Sequence, residues 1–335
     1  MSNLLFLQVK PSWVSTELAA LAAAHAAGRL PHALLLHEAP GAGGEWLARW
    51  VAQLVLCQRA GEAPCGSCAG CARVIAGQHP DLLLLQPTED SQQIRIEQVR
   101  ELAQELALTS HQGGYKVAIL SPADALNRFA ANALLKTLEE PPPQTVLLLV
   151  ATQPSRLPAT ILSRCQRVRV RAPTRGQGVS WLQATRGDGD WNAVLDTLGE
   201  APMLAAQADP QAIVQIAAEV RRTLDEAASG GADPVASAER WARADLPLRL
   251  RCIENWLTER IRDHFGGHAF FTELRAGPHL PRAVAVLNIR ELFGLADSVR
   301  ELKASLEAPI NRGLALETVL RQLDRTAGAT SPSRR

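Results

Sequence analysis

Short apolar runs alternate with amphipathic stretches through the first half of the chain, and this alternation is its strongest structural signal. In 94–108, for example, apolar residues recur at helical spacing on one face. The predicted strands are 32–37, 81–86, 116–120, 145–152 and 167–171, and the predicted helices are 45–57, 94–108 and 127–140, the last stopped by Pro141–Pro143. Continuous apolar strands separated by helices predict a parallel sheet that is covered on both faces.

After Pro173 the pattern changes to helices alone. Glycines in 176–178 and 186–190 divide a small region of short helices, and from about residue 210 the apolar spacing is helical to the end. The clearest helices are 213–224, 241–265, 290–306 and 313–323, with loops at 229–233 and 266–267. The chain is therefore predicted to have an α/β domain (1–172), a small helical lid domain (173–208), an all-α C-terminal domain (209–325) and a small, polar, disordered tail (326–335).

Composition and charge exclude several classes of protein. Apolar residues make up 47% and charged residues 21% of the 335, and the formal net charge of +1 gives no overall field for a free-standing nucleic-acid binder. Lys10 and Pro11 end the apolar N-terminus too early for a signal peptide, and no apolar run approaches the roughly 20 residues of a membrane span. We therefore expect a cytoplasmic protein, whose six cysteines are metal ligands or buried thiols rather than disulfides.

Four of the cysteines form a cluster with metal-ligand spacing. Cys57, Cys65, Cys68 and Cys71 follow the pattern C-x7-C-x2-C-x2-C. Two-residue gaps let a tight loop wrap its sulfur atoms around one zinc ion, and a closed shell of four thiolates makes a structural rather than a catalytic site. Four unconnected buried thiols are disfavoured because the segment is polar and rich in glycine. A small DNA-binding knuckle is a second alternative, although the loop offers only basic residues 59 and 73.

A glycine-rich segment follows the first predicted strand, where a phosphate-binding loop would lie. Such a loop needs G-x-x-x-x-G-K-[ST], and residues 38–45 are EAPGAGGE. Gly41 and Gly43 are present, but Gly44 replaces the lysine, Glu45 the hydroxyl and Glu38 the first glycine. Lysine supplies positive charge to the phosphates and the hydroxyl ligates magnesium, whereas carboxylates repel a triphosphate. The segment is predicted to be a turn, the remnant of a phosphate loop.

The expected magnesium ligand is absent as well. In phosphate-loop motors an acidic residue at a strand end holds the ion. Strand 116–120 ends instead in Ser121 and Pro122, and Asp124 lies a turn further on, where it makes an unconvincing replacement. Two losses at separate positions predict that this chain does not hydrolyse ATP and binds none of its own.

Several motifs together resemble the clamp-loader branch of the AAA+ ATPases. They are GRLPH at 28–32, the cysteine cluster, NALLKTLEEPP at 132–142, SRC at 163–165 and NRGLALE at 311–317. The resemblance spans essentially the whole chain and is strongest over 28–172. The gamma and tau members have intact phosphate loops, so the match is to the members whose loop is defective. It implies an AAA+ P-loop-type domain with a zinc module at 57–71, a lid, and a C-terminal collar domain.

The resemblance also implies a role for the SRC motif. Arg164 would be an arginine finger that acts in trans on the γ-phosphate bound by a neighbouring gamma or tau subunit, because a guanidinium offers a rigid fork of donors. Ser163 would help to set the turn, and Cys165 would pack. A surface arginine in an ordinary salt bridge is the alternative.

Other positions that correspond to motif positions of the active AAA+ relatives are expected to have no catalytic role. Lys136, Glu139 and Glu140 are predicted to form a solvated helix face, with subunit contacts as the rival. Thr152 matches the family's first sensor position and is expected to be vestigial. The segment 199–202 lacks the nucleotide-sensing arginine of the active relatives.

The implied function is that of a non-ATPase stator in a clamp-loader ring, with no catalysis of its own. Its partners would be gamma or tau and delta subunits, and through them the sliding clamp and primed DNA, with no membrane. The holoenzyme is a DNA-directed DNA polymerase, a nucleotidyltransferase acting in chromosome replication. Two alternatives are an active gamma- or tau-like ATPase, which Gly44 disfavours, and a free-standing zinc DNA-binding protein, which the net charge disfavours.

Overall fold

The computed structural model describes residues 9–59, 61–88, 91–229, 231, 233–265, 289–306 and 311–328, with side chains as far as 323. It divides into two compact units. The first contains the chain up to Leu195 together with Gly199–Ala208, and the second contains Asp196–Leu198 and the chain from Asp209 on. Among the described residues, no helix is long and apolar enough to cross a membrane.

The first unit alternates strands and helices along the chain. Its elements are α1 (Ser15–Ala26), β1 (Ala33–Glu38), α2 (Gly44–Leu56), α3 (Ala69–Ile75), β2 (Leu82–Leu85), α4 (Ile96–Ala107), β3 (Lys116–Leu120), α5 (Arg128–Glu139), β4 (Thr145–Ala151), α6 (Ala159–Leu162), β5 (Gln166–Val170), α7 (Arg175–Arg186), α8 (Trp191–Leu198, whose end belongs to the second unit) and α9 (Pro202–Ala205). Each predicted strand and helix of 32–171 is confirmed to within two residues.

The five strands form one sheet in the order β2-β3-β4-β1-β5, and every pairing is parallel. All residues of β3 and β4 are buried, which explains the apolar runs 117–120 and 146–151 within them. The edge strand β5 alternates arginine with valine and is mostly exposed. Because the strands are parallel, the residues that follow β1, β3 and β4 all lie at the carboxyl ends of the strands, where ligands bind in such folds.

Helices cover both faces of the sheet. On one face α4 and α5 pack against leucines of β1 and β4 in a single core cluster. Helix α2 lies against β1, β3 and β4 and buries nearly all of its residues. Helix α5 begins after Asn127, whose side chain accepts a 2.8 Å hydrogen bond from Ala130 N, and it ends before Pro141 as predicted. This packing holds in place the loops that follow β1, β3 and β4.

The second unit, like the predicted C-terminal domain, is made of helices. They are the described helices α10 (Pro210–Ala227), α11 (Pro234–Arg243), α12 (Leu246–Phe265), α13 (Ile289–Ala304) and α14 (Arg312–Gly328). They enclose one apolar core that includes Trp241 and Trp256. Arg249 and Arg260 stack over these two indoles and pair with Glu219 and Asp225 respectively.

Two details of this unit differ from the sequence prediction. Segment 241–265 is not one helix, because the backbone turns at Ala244 and Asp245, whose φ is 54°. Pro247 favours a helix start at Leu246 and disfavours continuation from α11. The second difference is that α14 continues through Gly328, three residues into the predicted tail, whereas 329–335 and the predicted loop at 266–267 lie outside the described residues.

Candidate functional site

The four cysteines of the predicted metal site come together in the first unit. Their sulfur atoms all lie within 4.8 Å of one another, and Sγ of Cys57 is 3.9 Å from Sγ of Cys68. Four thiolates at 2.3 Å from a central zinc ion have sulfur–sulfur distances of about 3.8 Å. The cluster is therefore close to the size and shape of a tetrahedral metal shell, and it is able to bind a metal ion.

Local backbone geometry brings the four residues together. Cys57 caps the C-terminus of α2, and Cys68 caps the N-terminus of α3, where its sulfur accepts the Cys71 N–H at 3.4 Å. Gly70 allows the two helices to approach, because a Cβ at this position would lie 2.3 Å from the carbonyl oxygen of Leu56. The glycine between the last two cysteines is thus needed for the closure of the loop.

The surroundings of Cys65 and Cys68 favour the thiolate form of both side chains. Backbone N–H groups of Ser67 and Cys68 lower the pKa of Cys65 to about 6. Burial opposes ionisation of Cys68, yet the N–H groups of Cys71 and Gln58 hold its pKa below the ordinary value. Burial raises the pKa of Cys71. A bound cation would stabilise all four thiolates together, as metal binding requires.

The phosphate-loop remnant connects β1 to α2 and contains a buried carboxylate. Glu38 is 9% exposed, and its Oε2 accepts hydrogen bonds from the N–H groups of Gly43 and Gly44, both at 2.7 Å. Burial raises the pKa of Glu38, and the two N–H groups act in the opposite direction. The side chain that replaces the first glycine of the motif is therefore folded back onto the loop.

The rest of the loop is packed by the chain itself. Trp13 Nε1 donates to the carbonyl oxygen of Ala42 at 2.7 Å, and Met203 N donates to that of Gly41 at 3.2 Å. The Met203 side chain also lies against Gly43, whose φ of 114° suits glycine. Glu45, at the hydroxyl position, pairs with Arg49 at 3.0 Å. Both carboxylates of the remnant are therefore paired with groups of the same chain.

Asp124 is the first acidic residue after β3 along the chain, and its carboxylate is hydrogen-bonded to Thr152 and Gln153. Its Oδ2 accepts hydrogen bonds from Thr152 N at 3.1 Å, from Thr152 Oγ1 at 3.0 Å and from Gln153 N at 2.6 Å. Asp124 is 8% exposed. The contacts join the segment after β3 to the end of β4, which is a structural use of both Asp124 and the sensor position.

Arg164 follows α6 at the start of β5. Its Nη1 donates to the carbonyl oxygen of Thr160 at 3.0 Å and to Ser163 Oγ at 3.3 Å, and its Nη2 is 2.6 Å from Glu139 Oε1. The Arg164 side chain is 36% exposed. Cys165 is buried, as expected of a packing residue, and burial raises its pKa to about 11.

The structure thus holds the predicted site residues at three separate places in the first unit: the cysteine cluster, the loop remnant and the SRC turn. The partner roles of Glu38, Asp124 and Glu139 were not among the predictions from the sequence. Lys136, Glu139 and Glu140, the residues of the predicted solvated face, are all exposed, and Glu139 contacts Arg164. The adjacent acidic residues Glu139 and Glu140 at the end of α5, just before Pro141, were the sequence feature that could have indicated a contact with a basic residue.

Comparison with known proteins places the chain in a family. The family model described as DNA polymerase III, delta subunit, matches residues 14–174. A Pseudomonas aeruginosa protein named DNA polymerase III subunit delta' is 40% identical over 240 residues, 69% of this chain and 72% of that protein. The delta' subunit of Escherichia coli K12 is 39% identical over 171 residues, 51% of each chain. The E. coli tau subunit is 36% identical over 156 residues, 46% of this chain and 24% of tau.

The parallel sheet with helices on both faces and the described helices of the second unit confirm the predicted α/β domain followed by a helical region, and the similarity to known proteins makes the chain a subunit of DNA polymerase III. Within that class, the chain belongs to the delta' subunits of DNA polymerase III.

Proposed function

We propose that the chain is the non-ATPase stator of a clamp-loader ring and that Arg164 is its arginine finger. In this role it stands beside a gamma or tau subunit and the delta subunit while the ring loads the sliding clamp on primed DNA. The proposal is supported most directly by the delta' relatives. The similarity to tau supports the setting in a complex with related subunits.

The surroundings of Arg164 support the finger. The guanidinium lies on the surface at the junction of α6 and β5, and its contacts with Thr160, Ser163 and Glu139 fix its orientation. A guanidinium carries five N–H donors, so these contacts leave donors for a phosphate group of a neighbouring subunit. Since the side chain is only about one-third exposed, the arginine is held by its surroundings rather than free in solvent.

Assembly tests the proposal as a whole. We expect the chain to co-purify with a gamma or tau subunit and delta, and the mixture to load a sliding clamp on primed DNA only when the chain is present. The Asp188→Ala variant, changed at an exposed loop position, should assemble equally well. A chain that binds primed DNA tightly when alone, and that does not assemble, would favour the free-standing zinc DNA-binding protein instead.

We further propose that the metal of the cysteine cluster is Zn²⁺ in a structural role. Four sulfur ligands suit zinc, and a shell of four protein ligands has no open position for a substrate. Arg59, one of the two basic residues of the loop, lies 3.9 Å from Glu62. That pairing reduces the positive charge that a DNA-binding knuckle would offer.

The proposed absence of ATP binding gives a prediction for the isolated chain. Calorimetric titration with Mg-ATP should show binding no tighter than about 1 mM, or roughly −4 kcal/mol. The reason is that Gly44 and Glu45 supply neither the lysine nor the hydroxyl, and Asp124 is already engaged. Micromolar affinity, or ATP turnover by the isolated chain, would support the active ATPase instead.

A further inference from the structure

The backbone donors of the phosphate-loop remnant already bind a carboxylate of the same chain, that of Glu38. The N–H groups of Gly43 and Gly44, at the start of α2, are the kind of donors that bind a phosphate in loops of this design. Here both donate to one oxygen of the buried Glu38 carboxylate, at 2.7 Å. The positive end of the helix dipole and the two donors are thereby satisfied within the chain.

The same carboxylate limits what position 44 can hold. A Cβ built on Gly44 would lie 2.8 Å from Glu38 Cδ, 3.0 Å from Glu38 Oε1 and 2.9 Å from Val150 Cγ1. Real Cβ atoms essentially never lie closer than 3.0 Å to another heavy atom, so the Glu38 side chain and Val150 would both have to shift. The backbone at Gly44 is helical, so the restriction comes from the space that Glu38 and Val150 fill and not from an unusual φ.

We infer that the Glu38 carboxylate is a built-in substitute for a phosphate group, and that together with Val150 it restricts position 44 to glycine. Glu38 in place of the first glycine and Gly44 in place of the lysine are then parts of a single structural change. Lysine cannot return to position 44 until Glu38 is removed and Val150 turns into the vacated space. This relation between Glu38 and Gly44 does not depend on the proposed clamp-loader role.

A double-mutant cycle on the full chain tests the steric part. Urea unfolding should show that Gly44→Ala is strongly destabilising in the wild-type background and about tenfold less so, in the unfolding equilibrium constant, in a Glu38→Ala background. Glu38→Gln is the matched control: it removes the charge but keeps the volume, so Gly44→Ala should cost as much there as in the wild type. Equal costs in the wild-type and Glu38→Ala backgrounds would overturn the inference.

Inorganic phosphate tests the anion part. Phosphate should raise the melting temperature of Glu38→Ala relative to sodium chloride of equal ionic strength, and it should leave the wild type unmoved. Glu45→Gln, which removes a neighbouring charge but leaves Glu38 in place, should behave like the wild type. The inference fails if folded Glu38→Ala shows no response to phosphate, or if all three proteins respond alike. Glu38→Ser empties the same position and keeps the test available should the alanine variant not fold.

Discussion

In a complex assembled with the Arg164→Ala chain, we expect ATP hydrolysis at the one neighbouring site that the finger serves to fall by about 10³–10⁵-fold. The physical reason is the loss of a rigid, permanently charged donor fork at the γ-phosphate. Folding, metal content and assembly should survive, because the arginine is partly exposed and its ion pair with Glu139 contributes little stability. The readouts are clamp-stimulated ATPase and clamp loading on primed DNA.

Three variants separate the finger from other roles of Arg164. Arg164→Lys keeps the charge but not the forked geometry, so it should restore little of the activity that Arg164→Ala loses. Arg167→Ala removes an exposed arginine from the adjoining strand and should leave hydrolysis and loading unchanged. Unchanged hydrolysis and loading in an assembled Arg164→Ala complex would refute the finger, and loss of assembly would make Arg164 an interface residue instead.

Replacement of Cys68 by serine should have the largest effect on the structure itself. The freshly purified wild-type chain should carry close to one zinc ion, and Cys68→Ser should carry almost none, because Cys68 lies next to both Cys57 and Cys71 in the cluster. Zinc binding is part of the folding free energy of such loops, about 10–16 kcal/mol in isolated zinc-finger peptides. We therefore expect 57–71 to lose its fold in the variant while the sheet remains. Metal analysis and hydrogen exchange measure the two effects.

Cys252→Ser is the matched control for the metal experiment. Cys252 is a buried cysteine of the second unit and belongs to no cluster of metal-ligand groups among the described residues. Its replacement should leave the zinc content at one ion per chain. Absence of zinc from unchelated wild-type protein, or full zinc content in Cys68→Ser, would contradict the metal assignment.

The strands and most helices were predictable because their signals are local. Uninterrupted apolar runs such as 145–152 marked buried parallel strands, and Asn127 with Pro141 marked the two ends of α5. The cysteine cluster followed from spacing alone. The break between α11 and α12 also had a local signal in Pro247, which the apolar spacing across 241–265 concealed.

The partners within the site were not predictable in this way. The sequence shows that Glu38 replaces a glycine, but only the folded loop shows that its carboxylate turns back to Gly43 and Gly44. Likewise, Asp124 and Thr152 are brought together by neighbouring strands, and Glu139 and Arg164 by the packing of α5 beside α6. These contacts depend on tertiary structure, and apart from the acidic pair at the end of α5 they leave no signal in composition, spacing or local propensity.

The edge strand β5 has a consequence for solubility. An open strand edge is a template for pairing with a strand of another chain, which leads to aggregation. Arg167 and Arg169 place like charges along this edge, and Arg171 follows directly after it. A second copy of the strand would bring its own arginines against them, at a cost in electrostatic repulsion. The edge is thereby protected against self-association by β-strand addition while the chain is outside a complex.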